Sequence, residues 1–122
     1  MLSCLIVDDD KSFLRVARVL LEREGLRVAG VASSSADALR QVEALRPDVV
    51  LVDIFLGDES GLELTKRLVE DGLSHQAPVI LISMYAEAGL EDLVTASRAA
   101  GFLPKAELSA SAIRRIVDGR RG

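Results

Sequence analysis

Short, nearly unbroken apolar runs alternate along this chain with longer stretches whose apolar positions recur at helical spacing. Residues 3–7, 27–31, 48–52, 79–82 and 102–104 are rich in aliphatic and β-branched side chains between turn formers, which predicts five strands. Several of these runs are apolar at consecutive positions, the pattern of strands covered on both faces in a parallel sheet. Between the first two, Phe13, Leu14, Ala17, Leu20 and Leu21 fall three and four apart, with Arg15, Arg18, Glu22 and Arg23 opposite and Gly25 as the stop. Leu39, Val42 and Leu45 form the next stripe, with Ser34 as cap and Pro47 as terminator. Residues 62–69, 90–100 and 110–117 supply three more helices, with stops at Gly72, Gly101 and Gly119. Strict alternation of five strands and five helices makes repeated βαβ units: an α/β open parallel sheet with helices on both faces.

The 122 residues suit one domain, expected over 1–119, with 120–122 as the start of a linker or a C-terminal tail. Arg114, Arg115, Arg120 and Arg121 against Asp118 make that end basic. A composition of 49% apolar and 28% charged residues is globular rather than disordered. The net charge of −4 argues against nucleic acid as a partner of this domain. The single cysteine, Cys4, reads as a small buried hydrophobe and calls for no oxidising compartment. Met1 leads into a strand-like segment with no basic stretch, so neither a secretory signal nor a membrane contact is expected, and the default location is the cytoplasm.

Chemistry in such a sheet collects beyond the carboxyl ends of the strands. Asp8, Asp9 and Asp10 follow the first strand, Asp53 ends the third, Ser83 ends the fourth, and Lys105 follows the fifth. Clustered carboxylates repel one another unless a cation joins them, and their hard oxygens suit Mg²⁺ or Mn²⁺. A carboxylate beside such a metal can accept a phosphoryl group, whose oxygens an ammonium and a hydroxyl can then hold. Asp10 reads as the N-cap of the first helix. Asp58 and Glu59 read as a solvated loop, and His75 sits in a polar loop with no evident role.

In their order and spacing, "LIVDDD", "DVVLVDIFLGDESGLEL", "VILIS" and "GFLPK" resemble the receiver domain of two-component response regulators over essentially the whole chain. Gly61, eight residues after Asp53, also matches. The resemblance implies a flavodoxin-like (βα)5 fold with strand order 2-1-3-4-5, an order the receiver family itself exemplifies. It implies Asp53 as phosphoacceptor, with Asp8, Asp9, Asp53 and the backbone carbonyl of Phe55 holding Mg²⁺. Ser83 and Lys105 become the switch hydroxyl and the phosphate-binding ammonium, and Phe102 the aromatic that follows them. A sensor histidine kinase is the implied donor. A phosphorylation-dependent homodimer and transcriptional control through a helix-turn-helix output domain are further expectations, the chain being no enzyme beyond its own phosphorylation and dephosphorylation.

The chain departs from the family pattern at several points. Leu56-Gly57 replaces the usual Met-Pro, and Met84, bulkier than usual, follows Ser83 and tunes access to Asp53. Ala106 rather than Pro follows Lys105. Phe55 and Tyr85 occupy the two positions that influence dephosphorylation, and neither is an evident water-positioning group. Two other readings compete. A haloacid-dehalogenase-type phosphatase would use Asp8 and Asp10, but the second acidic pair it needs after its lysine is reduced to Glu107 and Asp118. A receiver-like binding module would work without phosphorylation.

Overall fold

A computed structural model describes residues 2–70, 77–84 and 90–121. Five strands form one parallel sheet: β1 (Ser3–Val7), β2 (Arg27–Ala32), β3 (Val49–Asp53), β6 (Val79–Ser83) and β7 (Gly101–Pro104). Between β3 and β6, β4 (Phe55–Leu56) and β5 (Glu59–Ser60) make a small antiparallel hairpin. The sheet order is β2-β1-β3-β6-β7, which with the hairpin set aside is the flavodoxin-like order 2-1-3-4-5. The helices are α1 (Lys11–Arg23), α2 (Ser35–Leu45), α3 (Gly61–Glu70), α4 (Leu90–Ala96) and α5 (Ala110–Arg121), with a 3₁₀ turn at Lys105–Glu107.

Consecutive apolar residues in each strand divide between two cores because successive side chains point to opposite faces. Cys4, Ile6, Leu51, Ile80 and Ile82 pack under Leu14, Ala17 and Leu21 of α1 and Ile113 and Val117 of α5. Leu5, Val7, Val50, Val52 and Leu81 pack under Val42 of α2, Leu64 and Leu68 of α3 and Leu90 of α4. Burial pushes the Cys4 thiol up to about 12, with the Glu22 charge adding to it, so this sulfur is an inert part of the core.

Element boundaries differ from the sequence expectation where side chains intervene. Asp48 stays outside β3 because its carboxylate accepts from the Ser3 backbone N–H at 2.8 Å. Helix α2 ends as expected before Pro47, on Arg46 in the left-handed region (φ 47°). Helix α4 stops at Ala96 rather than at residue 100: the Ser97 hydroxyl donates to the Val94 carbonyl, Arg98 turns left-handed (φ 67°), and the Ala100 N–H joins the chain to Val79. Gly101 therefore opens β7 instead of closing a helix. Helix α5 runs through Gly119, so that glycine is no stop. Leu20, expected in the core stripe of α1, is 37% exposed. Gly72 and His75 lie outside the described residues.

Candidate functional site

The parallel register brings the strand ends together. Asp8 directly follows β1 and is anchored by its N–H donating to the Ala32 carbonyl at 2.9 Å. Asp53 closes β3 opposite Ile82, and Ser83 closes β6 opposite Pro104, one residue before Lys105. Asp8, Asp53 and Ser83 are buried, whereas Asp9 is exposed at the mouth. Asp10 caps α1 as expected, accepting from the N–H groups of Ser12 (3.0 Å) and Phe13 (3.2 Å). Its side chain is thereby committed to the helix. Asp8 meets Asp53 and Lys105 instead, which is not the Asp8/Asp10 pair the phosphatase reading requires.

The Lys105 ammonium lies 2.6 Å from Asp8 Oδ2 and 3.1 Å from Asp53 Oδ2. The second oxygens are held by main chain: Asp8 Oδ1 accepts from the Asp10 N–H at 2.9 Å, and Asp53 Oδ1 from the Phe55 N–H at 3.0 Å. Asp8 Oδ2 is held by the Lys105 ammonium rather than by a backbone N–H. Burial raises the Asp8 carboxyl above its ordinary range, and the Asp53 charge adds to the rise. Lys105 and the Asp10 N–H pull it back only in part. For Lys105 burial alone would lower the ammonium, but hydrogen bonding and attraction from Asp8 and Asp53 outweigh it and hold the pKa up.

One ammonium cannot balance three carboxylates. Oxygens of Asp8, Asp9 and Asp53 lie within 4.8 Å of one another, a hard-donor set suited to Mg²⁺ rather than zinc. With a single ammonium shared by the buried Asp8 and Asp53, the three carboxylates keep negative charge that a divalent cation would neutralise, so the residues present fit the metal.

Two glycines shape the site. A Cβ on Gly61 would overlap the Asp53 carbonyl and press on the backbone of Ile54, so α3 approaches the end of β3 this closely only with glycine there. Gly57 sits at φ +61° in the two-residue turn of the β4–β5 hairpin, beside Asp9. The hairpin leaves Phe55 57% exposed at the mouth, and Met84 is 69% exposed on the next strand end. Phe102 is half-buried against the core beneath α4. Tyr85 lies outside the described residues.

Sequence reasoning missed two roles. Phe13, assigned to the core, also places its ring centroid 4.3 Å from the Lys105 ammonium, a cation–π contact. Its signal was present: Phe13 is three residues after the Asp10 cap, hence in the first turn at the sheet's carboxyl end. Glu59, assigned to a solvated loop, accepts from the Ser35 N–H at 3.0 Å and helps Ser34 to cap α2. That contact spans 24 residues and leaves no local pattern.

The family model for the response regulator receiver domain matches residues 4–118. Response regulator GacA of Pseudomonas aeruginosa is 32% identical over 99% of this chain, which spans 58% of that protein. A protein-glutamate methylesterase/protein-glutamine glutaminase of Hahella chejuensis is 37% identical over 75% of the chain and 25% of its own length. Among solved structures, a response regulator from Burkholderia pseudomallei with a phosphorylated aspartic acid, calcium ion and citrate superposes with a TM-score of 0.81. It is 26% identical, over 96% of this chain and 66% of that one. Among the described residues no helix is long and apolar enough to cross a membrane.

Proposed function

The chain belongs to the response regulator receiver domain family of two-component signalling, and from that premise we propose that it is a switch controlled by phosphorylation of Asp53. The observation that carries this is the geometry of Asp53: buried at a strand end, clustered with Asp8 and Asp9, with Lys105 3.1 Å from one oxygen. The phosphorylated aspartic acid of the Burkholderia relative supports it.

In this reading a sensor histidine kinase presents a phosphohistidine. An Asp53 carboxylate oxygen attacks phosphorus, a P–O bond forms, the P–N bond breaks, and the imidazole leaves with the electron pair. Asp8, Asp9, Asp53 and the Phe55 carbonyl would hold Mg²⁺, which when bound would neutralise charge on the transferring phosphoryl group. Lys105, already beside Asp53, pairs with the new oxyanions, and the Asp8 carboxylate keeps the ammonium aimed. Ser83 donates its hydroxyl to the phosphoryl group, and Phe102 follows it inward. The surface of α4, β7 and α5 then changes partners, with homodimerisation as one consequence. In this reading residues 1–119 make up the receiver, and 120–122, which begin in the last turn of α5, start a linker or a C-terminal tail; regulation of transcription through an output domain, in the cytoplasm, belongs to the same reading. The chain turns over nothing but its own phosphoryl group.

Intact mass after incubation with acetyl phosphate and Mg²⁺ tests the proposal. One added phosphoryl group, lost in EDTA and in Asp53→Asn, is expected. An adduct that survives Asp53→Asn, or none with either acetyl phosphate or beryllofluoride, overturns it.

A further inference from the structure

Strand β2 is an edge of the sheet and α1 packs against it; among the described residues no strand pairs beyond it. A cleft of about 350 Å³ opens there, at the small end of the range for ligand pockets. Leu14, Val31 and Ala32 contribute its apolar floor. Lys11, Arg15 and Arg18, four and three residues apart, line one wall from a single stripe of α1. The opposite wall holds one carboxylate, Asp37, already taken by Arg40 at 2.8 Å and by the Gln41 amide at 3.0 Å. Arg18 is paired with Glu22 at 3.4 Å. Among the described residues Lys11 and Arg15 have no carboxylate within ion-pair distance. On a chain of net charge −4, this is apolar surface beside two uncompensated cations.

We propose that this cleft binds a small amphipathic anion, an apolar tail ending in a carboxylate or a phosphate. The tail lies along the apolar floor, where it covers the part-exposed Val31 beside the buried Leu14 and Ala32, and the head group sits between Lys11 and Arg15. A free inorganic anion would leave the floor wet, and a neutral tail would leave the cations unpaired. The cleft shares no residue with Asp8, Asp9, Asp53 or Lys105, so the inference stands independently of the phosphorylation reading.

The test is an amide ¹H–¹⁵N titration of the whole chain with octanoate, octyl phosphate, octanol and inorganic phosphate. Saturable shifts confined to residues 11–18 and 31–37 are expected with one or both octyl anions, at least about tenfold tighter than with octanol or inorganic phosphate. The tighter anion identifies the head group. Lys11→Gln with Arg15→Gln, both exposed positions, weakens that binding about tenfold with an unchanged melting midpoint, and Arg115→Gln on α5 leaves it unaltered. Equal binding of octanol, indifference to the double substitution, or shifts that follow protein concentration without ligand, as a second copy covering the cleft would give, overturn the proposal.

Discussion

The β1–β3 pair ends in two ways that treat polar groups oppositely. At its amino end, Asp48 accepts from the backbone N–H (2.8 Å) and hydroxyl (3.1 Å) of Ser3, and the Ser3 hydroxyl accepts from the Asp48 N–H (3.2 Å). That contact is reciprocal and reaches solvent. At its carboxyl end, Asp8 and Asp53 are buried with one shared ammonium, beside the exposed third carboxylate of Asp9. The same two strands thus carry a closed polar clasp at one end and an unbalanced charge cluster at the other. Charge left unbalanced is what lets a site accept a cation and a phosphoryl group, and its cost falls on the stability of the metal-free fold.

Gly61→Ala should produce the largest effect, because the added methyl collides with the Asp53 backbone rather than with a side chain that can turn away. We expect a loss of about 3 kcal/mol or more in urea unfolding, together with loss of phosphorylation. Next, Lys105→Met leaves Asp8 and Asp53 buried without their cation. A loss of about 2–3 kcal/mol in EDTA is expected, with Mg²⁺ restoring part of it. Phe13→Leu keeps the ion pairs but removes the ring facing the ammonium, and should lower the acetyl phosphate reaction only severalfold, with Phe13→Tyr restoring it.

Asp8→Asn should act in the opposite direction and sharpen the contrast. Because the Asp8 pKa is raised on folding, the folded state binds that proton more tightly than the unfolded chain. Its favourable contribution is therefore greatest at acid pH and declines as pH rises through the carboxylate range towards neutrality. The variant should be more stable than the parent by about 1 kcal/mol at pH 7 in EDTA, converge with it on acidification, and lose stabilisation by Mg²⁺. Thermal melts across pH, with and without Mg²⁺, measure all three. The smallest effect belongs to the amino end: Ser3→Ala should cost about 1 kcal/mol or less and leave phosphorylation unchanged. A fall in phosphorylation there would erase the distinction between the two ends.

Much of this molecule was legible before its structure. Strand β1 has the expected bounds, β2, β6 and β7 are each one residue longer, β3 is shifted by one residue, and Asp10 and Ser34 cap the helices assigned to them. These features are local: a strand shows in a run of aliphatics, and a cap in one side chain before a periodic stretch. Non-local contacts were not legible. The join of Ala100 to Val79 beyond the shortened α4, the Glu59 cap on α2 and the Phe13 ring against Lys105 each depend on where separate segments meet. The β4–β5 hairpin was also missed, because two-residue strands carry no period to detect.

The sequence by itself determined the alternation of elements, the two-faced burial of the strands and the delivery of Asp8, Asp53, Ser83 and Lys105 to strand ends. It did so because side-chain periodicity and strand direction are properties of short segments. Only the tertiary structure decided that Lys105 spans 52 residues to Asp53, and that the ammonium also meets Asp8. It also decided that the Phe13 ring meets the Lys105 ammonium and that position 61 has no room for a methyl group. Those outcomes depend on register and helix placement, which follow from packing the whole sheet between two helical layers.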